Sequence, residues 1–306
     1  MGDRTKIDWC DASWNPVTGC LHGCKYCYAR RIAQRFCNNE HGKDDAGVAY
    51  PCTGDCKFCS ELDGLEFVGQ VTRWNHDPRY PYPYGFLPTI HPHRLDIPKH
   101  WKKPRNIFVC SMADLMGEWV PESWKQDVIK ACEEAPQHRY LFLTKNPYGY
   151  MVWGTKDRPP EYEFMEQDNF WLGCSITGAE DLTRYDGHYG RYLYAMRGNI
   201  LPGRVHRFVS IEPILTDVME LPGYSGDGSA LGEAIADTKY AGHIEWFIVG
   251  AETGNRKGKV VPERAWIMKI LEACRKAGKP VFMKESLREL MGADFVQEFP
   301  WDKEQC

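Results

Sequence analysis

The chain has 306 residues, 13 of them Cys and 11 Trp, with 43% hydrophobic residues, 26% charged residues and a formal net charge of −4. This composition excludes a disordered or collagen-like chain, and the length suffices for one large α/β domain or two smaller ones. A slightly acidic chain is no bulk polycation for nucleic acid, so binding of that kind would need a local basic patch.

Taken in chain order, Trp14-Asn15-Pro16-Val17-Thr18-Gly19 reads as an early strand near 14–19. A loop of C-x3-C-x2-C spacing follows, Cys20, Cys24 and Cys27, and then a helical stretch from Tyr28 to Phe36. Residues 37–88 are rich in Gly, Pro, Asp, His and Tyr and have weak periodicity, so they read as an insertion. The insertion repeats the same spacing at Cys52, Cys56 and Cys59, with Cys37 as a further ligand upstream. The main domain is then residues 1–36 and 89–306. The segment His91 to Arg105 is the most basic in the chain, with Arg94, Lys99, Lys102, Lys103, Arg105 and an embedded Trp101.

From Asn106 onward short β-rich runs recur at 106–110, 139–143, 170–174, 207–211, 245–249 and 280–284. Amphipathic helical stretches over 121–134 and 262–276 lie between some of them. Apolar runs alternating with helices predict a parallel sheet. The fold class is therefore α/β, a full or partial (β/α)6 TIM-like barrel carrying a cysteine-containing insertion. In such barrels chemistry sits where the strands end. Those ends are polar here: Cys110-Ser111-Met112-Ala113-Asp114, Thr144-Lys145-Asn146, Cys174-Ser175, Ser210-Ile211-Glu212, Gly250-Ala251-Glu252 and Lys284-Glu285-Ser286.

An odd number of cysteines in a long chain without an apolar leader in its first six residues points to a reducing, cytoplasmic compartment. Clustered cysteines there hold metal or do chemistry. No stretch approaches the ~18 apolar residues of a membrane span, and no membrane partner is expected. Three close thiolates suit a [4Fe–4S] cluster with one iron left open, and zinc is the alternative. For the second triple both readings stay open, an auxiliary [4Fe–4S] cluster or a zinc staple. His22, inside the first loop, reads as solvent-facing or cluster-adjacent rather than as a ligand.

The Cys20-x3-Cys24-x2-Cys27 signature with Tyr26 before its last Cys, in a loop after the first barrel strand, resembles the radical S-adenosylmethionine (SAM) superfamily. The pieces 14–20, 24–29, 88–95, 107–114, 136–138, 143–145, 171–173, 208–213 and 248–254 together resemble a phage- and prokaryote-associated radical SAM family. That family is similar to spore photoproduct lyase in its Cys-x-Tyr-Cys-Tyr and Thr-Lys elements. The resemblance implies that the thiolates hold a [4Fe–4S] cluster with SAM chelated at the open iron. One-electron reduction then gives a 5′-deoxyadenosyl radical that abstracts hydrogen from a substrate. By position it implies that Lys145 pairs with the SAM carboxylate and Ser175 bonds the ribose. Ser111 and Asp114 receive the SAM amino group, and Glu212, Gly250 and Glu252 lie around the cofactor.

Further expectations concern substrate and partners. Cys110 is expected to point into the mouth and return a hydrogen atom to a product radical. The basic segment, with Arg30, Arg31 and Arg35, is expected to contact phosphates, with Trp101 stacking on a base. The first substrate guess is a nucleobase or nucleic acid, with a peptide or small metabolite as alternative. A non-enzymatic, zinc-bearing nucleic-acid-binding protein is the reading from another class. A flavodoxin- or ferredoxin-like one-electron reductant is the implied protein partner.

Overall fold

The computed structural model describes residues 5–36, 69–70, 79, 81–150, 167–183, 193, 195–196, 206–221, 229–236 and 244–305. The strands are β1 (Ala12–Trp14), β2 (Val17–Thr18), β3 (Gly69–Gln70), β4 (Thr89–Ile90), β5 (Asn106–Val109), β6 (Arg139–Thr144), β7 (Phe170–Ser175), β8 (His206–Ile211), β9 (Trp246–Val249) and β10 (Val281–Met283). The helices are α1 (Tyr28–Arg35), α2 (Ile97–His100), α3 (Glu122–Glu133), α4 (Ala179–Thr183), α5 (Ala230–Ile235), α6 (Arg264–Lys276) and α7 (Arg288–Met291). Among these, no helix is long and apolar enough to cross a membrane.

Seven strands form one parallel sheet in the order β1-β5-β6-β7-β8-β9-β10, curled into a half-barrel. Every neighbouring pair in it is parallel. The six β-rich runs after residue 105 all become strands of this sheet. The early strand differs from expectation. It ends at Trp14, because Asn15-Pro16 breaks the ladder, and Val17–Thr18 join a second small sheet of order β2-β4-β3. That small sheet ties Gly69–Gln70, inside the expected insertion, to Thr89–Ile90 and through them to Val17–Thr18 before the cysteine loop.

Alternation along the strands sorts the core into two layers. Outward-facing Ile107, Val109, Tyr140, Phe142, Phe170, Leu172, Val209, Phe247, Val249 and Val281 pack against Val128, Ile129 and Cys132 of α3 and Ile267, Ile270, Leu271 and Cys274 of α6. Inward-facing Phe108, Leu141, Trp171, Phe208, Trp246, Ile248 and Phe282 meet Trp9 and Trp301. The inner layer is an aromatic plug, with Trp9 and Phe108 centroids 4.6 Å apart and Trp246 and Trp301 5.2 Å apart. Inward Gly173 leaves the room that Phe208 fills, since a Cβ there would lie 2.3 Å from that ring. The plug closes the base of the half-barrel, so any cavity must open at the strand C-terminal ends.

Candidate active site

A cavity of about 740 Å³ lies at that end, floored by Trp9, Phe108 and Leu143. This volume is typical of small-molecule and cofactor sites. The cysteine loop forms one wall. Gly19 admits the chain into the loop: its φ is +88°, and a Cβ there would lie 2.0 Å from the Leu87 carbonyl oxygen. Its N–H donates to Met112 O at 2.9 Å and that of Cys20 to Phe86 O at 3.1 Å, so the loop is threaded between two segments. At its other end Cys27 caps α1, its Sγ accepting the Arg30 N–H at 3.3 Å.

Cys20, Cys24 and Cys27 all line the cavity, and all are free thiols. Burial, then the nearby Asp114 charge, pushes the Cys20 thiol up, and burial does the same to Cys27. Among the described residues no three His, Cys, Asp or Glu groups converge on one metal ion. Three thiolates of a cluster each take a different iron and need not converge.

The loop is anchored through His22, which is buried rather than solvent-facing. His22 Nε2 lies 2.7 Å from Asp114 Oδ2, and its ring meets Trp119 edge-on at 4.8 Å. Asp114 also accepts from Lys145 N at 2.7 Å, Thr144 Oγ1 at 2.6 Å and Met116 N at 3.1 Å. Burial alone would raise the Asp114 pKa. Its bonds to His22, Thr144 and the Lys145 backbone outweigh that and hold it below the usual carboxylate range. Four donors fill both oxygens, so Asp114 positions the loop. It also lines the cavity.

Other strand-end residues sort similarly. Ser111 lines the cavity while its Oγ donates to Asn15 Oδ1 at 3.2 Å, which leaves the oxygen able to accept. Lys145 lines the cavity, pairs with Asp181 at 3.1 Å and sits 5.6 Å from the Tyr26 ring centroid. Burial pulls its pKa down, but Asp181 and then Tyr26 more than reverse this, so it is a firmly protonated cation. Tyr26 OH and Thr177 Oγ1 lie 3.3 Å apart. Ser175 and Glu212 line the cavity. Glu212 pairs with Lys284 at 2.5 Å, and Gly250 lies beside them. A Cβ on Gly250 would stand 2.9 Å from Lys284 Cδ and 3.1 Å from Glu212 Cγ.

Glu252 also lines the cavity, but both its oxygens are taken by Arg256, at 2.6 and 2.7 Å. Arg256 thereby holds its carboxyl below the usual range, and its role is to fix the loop.

Two further expectations are corrected. Cys110 does not face the mouth. Strand alternation would turn it inward, but its φ of +58° reverses the side chain into the outer layer, near Cys132 of α3. There it is buried, with burial pushing its pKa up to about 12, and Ser111 takes the inward place. It is unplaced for hydrogen-atom return to the cavity. The basic segment, in turn, does not line the cavity: it runs from Arg94, beside Asn15 just past the end of β1, down to Arg105 at the base of the half-barrel where β5 begins. Arg94 is buried, donating to Asn15 O at 3.1 Å and Pro81 O at 3.2 Å, and burial pushes its pKa down to about 10. Trp101 packs on the core under Arg105, whose guanidinium sits 4.7 Å from its ring centroid. Lys99 pairs with Glu134 at 3.4 Å, and Lys102 and Lys103 are exposed.

Sequence reasoning did not single out Tyr28, whose OH donates to Ser111 O at 2.7 Å, nor Tyr82 and Phe86, which line the cavity from the expected insertion. Cys37, Cys52, Cys56 and Cys59 lie outside the described residues.

A family described as "Protein of unknown function (DUF5131)" matches residues 4–288. The chain belongs to this family. No curated protein matches the chain. Among solved structures, "Spore photoproduct lyase complexed with dinucleoside spore photoproduct" is similar at 12% identity and a TM-score of 0.44, covering 94% of this chain and 76% of that one. A mutant of the same lyase with dinucleoside spore photoproduct is similar at 11% identity and a TM-score of 0.45, with the same coverage.

Proposed function

We propose that this DUF5131 member is a radical SAM enzyme. The observation that carries the reading is that Cys20, Cys24 and Cys27 together line one cavity at the strand C-terminal end of a parallel half-barrel. The donor set fits an iron–sulfur cluster, since soft thiolates are its normal ligands and three of them leave one iron open. When bound, the cluster and SAM supply a 5′-deoxyadenosyl radical on one-electron reduction, and that radical abstracts hydrogen from substrate.

The chain's own residues hold and orient. His22 and Asp114 fix the cysteine loop against the ends of β5 and β6. Lys145 offers a cation for the SAM carboxylate, and Ser175 and Ser111 offer hydroxyls. Gly250 keeps the wall thin between Glu212 and Lys284. The aromatic plug excludes water from below, where a reactive radical would otherwise be quenched.

Anaerobically purified protein should carry about four irons at the first triple, one cube's worth. It should release 5′-deoxyadenosine when reduced with SAM present, and Cys24→Ala should lose both. A colourless protein holding only zinc would overturn the reading. The second triple is proposed as a separate metal site. Converting Cys52, Cys56 and Cys59 to Ala should remove either about four irons or one zinc without loss of 5′-deoxyadenosine formation.

A further inference from the structure

The cavity has a charged rim that the reading above does not use. Residues 20–36 contain four Lys or Arg and no Asp or Glu, and residues 253–262 add Lys257 and Lys259 beyond Arg256, whose charge is paired with Glu252, on a chain of net charge −4. The two segments are neighbours. Tyr28, Ala29 and Ile32 line the cavity from one, and Ala251, Glu252 and Thr253 lead into the other. Arg31 joins them, its guanidinium nitrogen lying 3.0 Å from where a Cβ on Gly254 would be. Lys25, Arg31, Arg35 and Lys257 are exposed, and none has an ion-pair partner shown among the described residues.

Aromatic rings interleave with these charges. Tyr28 is 42% exposed and Phe36 47% exposed, at opposite ends of the helix that carries Arg31 and Arg35. The Tyr28 ring is held in place by the bond from its hydroxyl to Ser111 O. A basic track with exposed aromatic faces is the chemistry that takes single-stranded nucleic acid, the cations following phosphates and the rings stacking on bases. An acidic protein partner would use the charges but has no need of two exposed rings flanking them.

We propose that this rim binds the backbone of a single-stranded nucleic acid and presents one of its nucleotides to the cavity. For what happens to that nucleotide the proposal rests on the radical SAM reading; for strand binding it does not. The test uses the full chain, reconstituted anaerobically, and anisotropy of a fluorescein-labelled single-stranded DNA of about 20 mixed-sequence nucleotides. Binding should weaken with salt at a log–log slope of about −2 or steeper, and R31E/R35E/K257E should weaken it about 30-fold or more at about 100 mM salt. An equal charge reversal at the base, K99E/K102E/K103E, should weaken it no more than about fivefold. Both variants should retain iron and 5′-deoxyadenosine formation.

Equal losses in the two variants, or no wild-type binding at about 50 mM salt, would overturn the proposal. So would a rim variant that keeps strand binding but loses reduction by an acidic flavodoxin-class donor, which would make the face a reductant dock. Rim-dependent strand binding by a protein that carries no iron would support the strand site and sink the radical reading.

Discussion

The two ends of the half-barrel use similar side chains to opposite effect. At the base, where the strands begin, polar groups close on one another. Arg139 donates to Asn106 Oδ1 at 2.7 Å and covers Trp301, His206 meets Glu245 at 2.8 Å, and Arg105 covers Trp101. At the mouth, groups of the same kinds are held in place and still face a cavity: three free thiols, Ser175, Lys145 and the Glu212–Lys284 pair. His22 Nδ1 and Ser210 Oγ are buried there without a partner. Buried atoms without a partner occur toward the base as well, at His138 Nδ1 and Trp171 Nε1, so what marks the mouth as the place for a ligand is the cavity that its thiols and charged groups line.

The largest break in that contrast should come from Asp114→Ala. It strands His22 and three further donors in a buried place, a loss of about 3–5 kcal/mol. Because Asp114 joins the loop to β5 and β6, iron content should fall with the melting temperature. A variant that melts early but keeps its full iron would show that the loop is held by something else. Gly250→Ala should do less to stability and more to function. The added methyl pushes Lys284 and Glu212 toward the cavity, whose open space lets them yield. Titration calorimetry with SAM should show affinity falling about tenfold, about 1.4 kcal/mol, with the melting temperature nearly unchanged. At the base, Arg139→Ala removes a guanidinium 4.3 Å from the Trp301 ring centroid. It should cost about 1 kcal/mol in denaturant titration and leave SAM affinity alone. A loss of SAM affinity there would mean the two ends are coupled.

How far the sequence revealed this division depended on the range of the interactions. The sheet was legible because its runs are locally apolar and β-rich, from Ile107 to Met283. The cysteine loop was legible by spacing. What was hidden depends on groups far apart in the chain. Arg94 was read as a surface cation, yet it satisfies carbonyls of Asn15 and Pro81, 79 and 13 residues away. The Asp114 cluster joins His22, 92 residues upstream, to Lys145, 31 downstream. Cys110 was misplaced for a local reason of another kind. Alternation assumes extended backbone, and a single left-handed residue at the strand end inverts it.

The smallest effect should separate the two ends by pH. His138 sits at the base, buried, with Nε2 held 2.9 Å from Pro98 O. Burial lowers its pKa below the ordinary 6.5, against the pull of that carbonyl. The unfolded chain therefore binds a proton that folded His138 resists, so stability falls as pH drops below about 6.5 and stops falling once the folded group is protonated. Asp114 is depressed from an ordinary 3.8, so its contribution persists through that range and is lost only in stronger acid, below its unfolded value. Amide exchange between pH 7 and pH 5 should accordingly accelerate in α2 and at the start of β6 before it does at Thr144 and Lys145. His138→Gln should flatten the first change and leave the second in place. Simultaneous opening of both ends near pH 6 would mean that they do not act as separate halves.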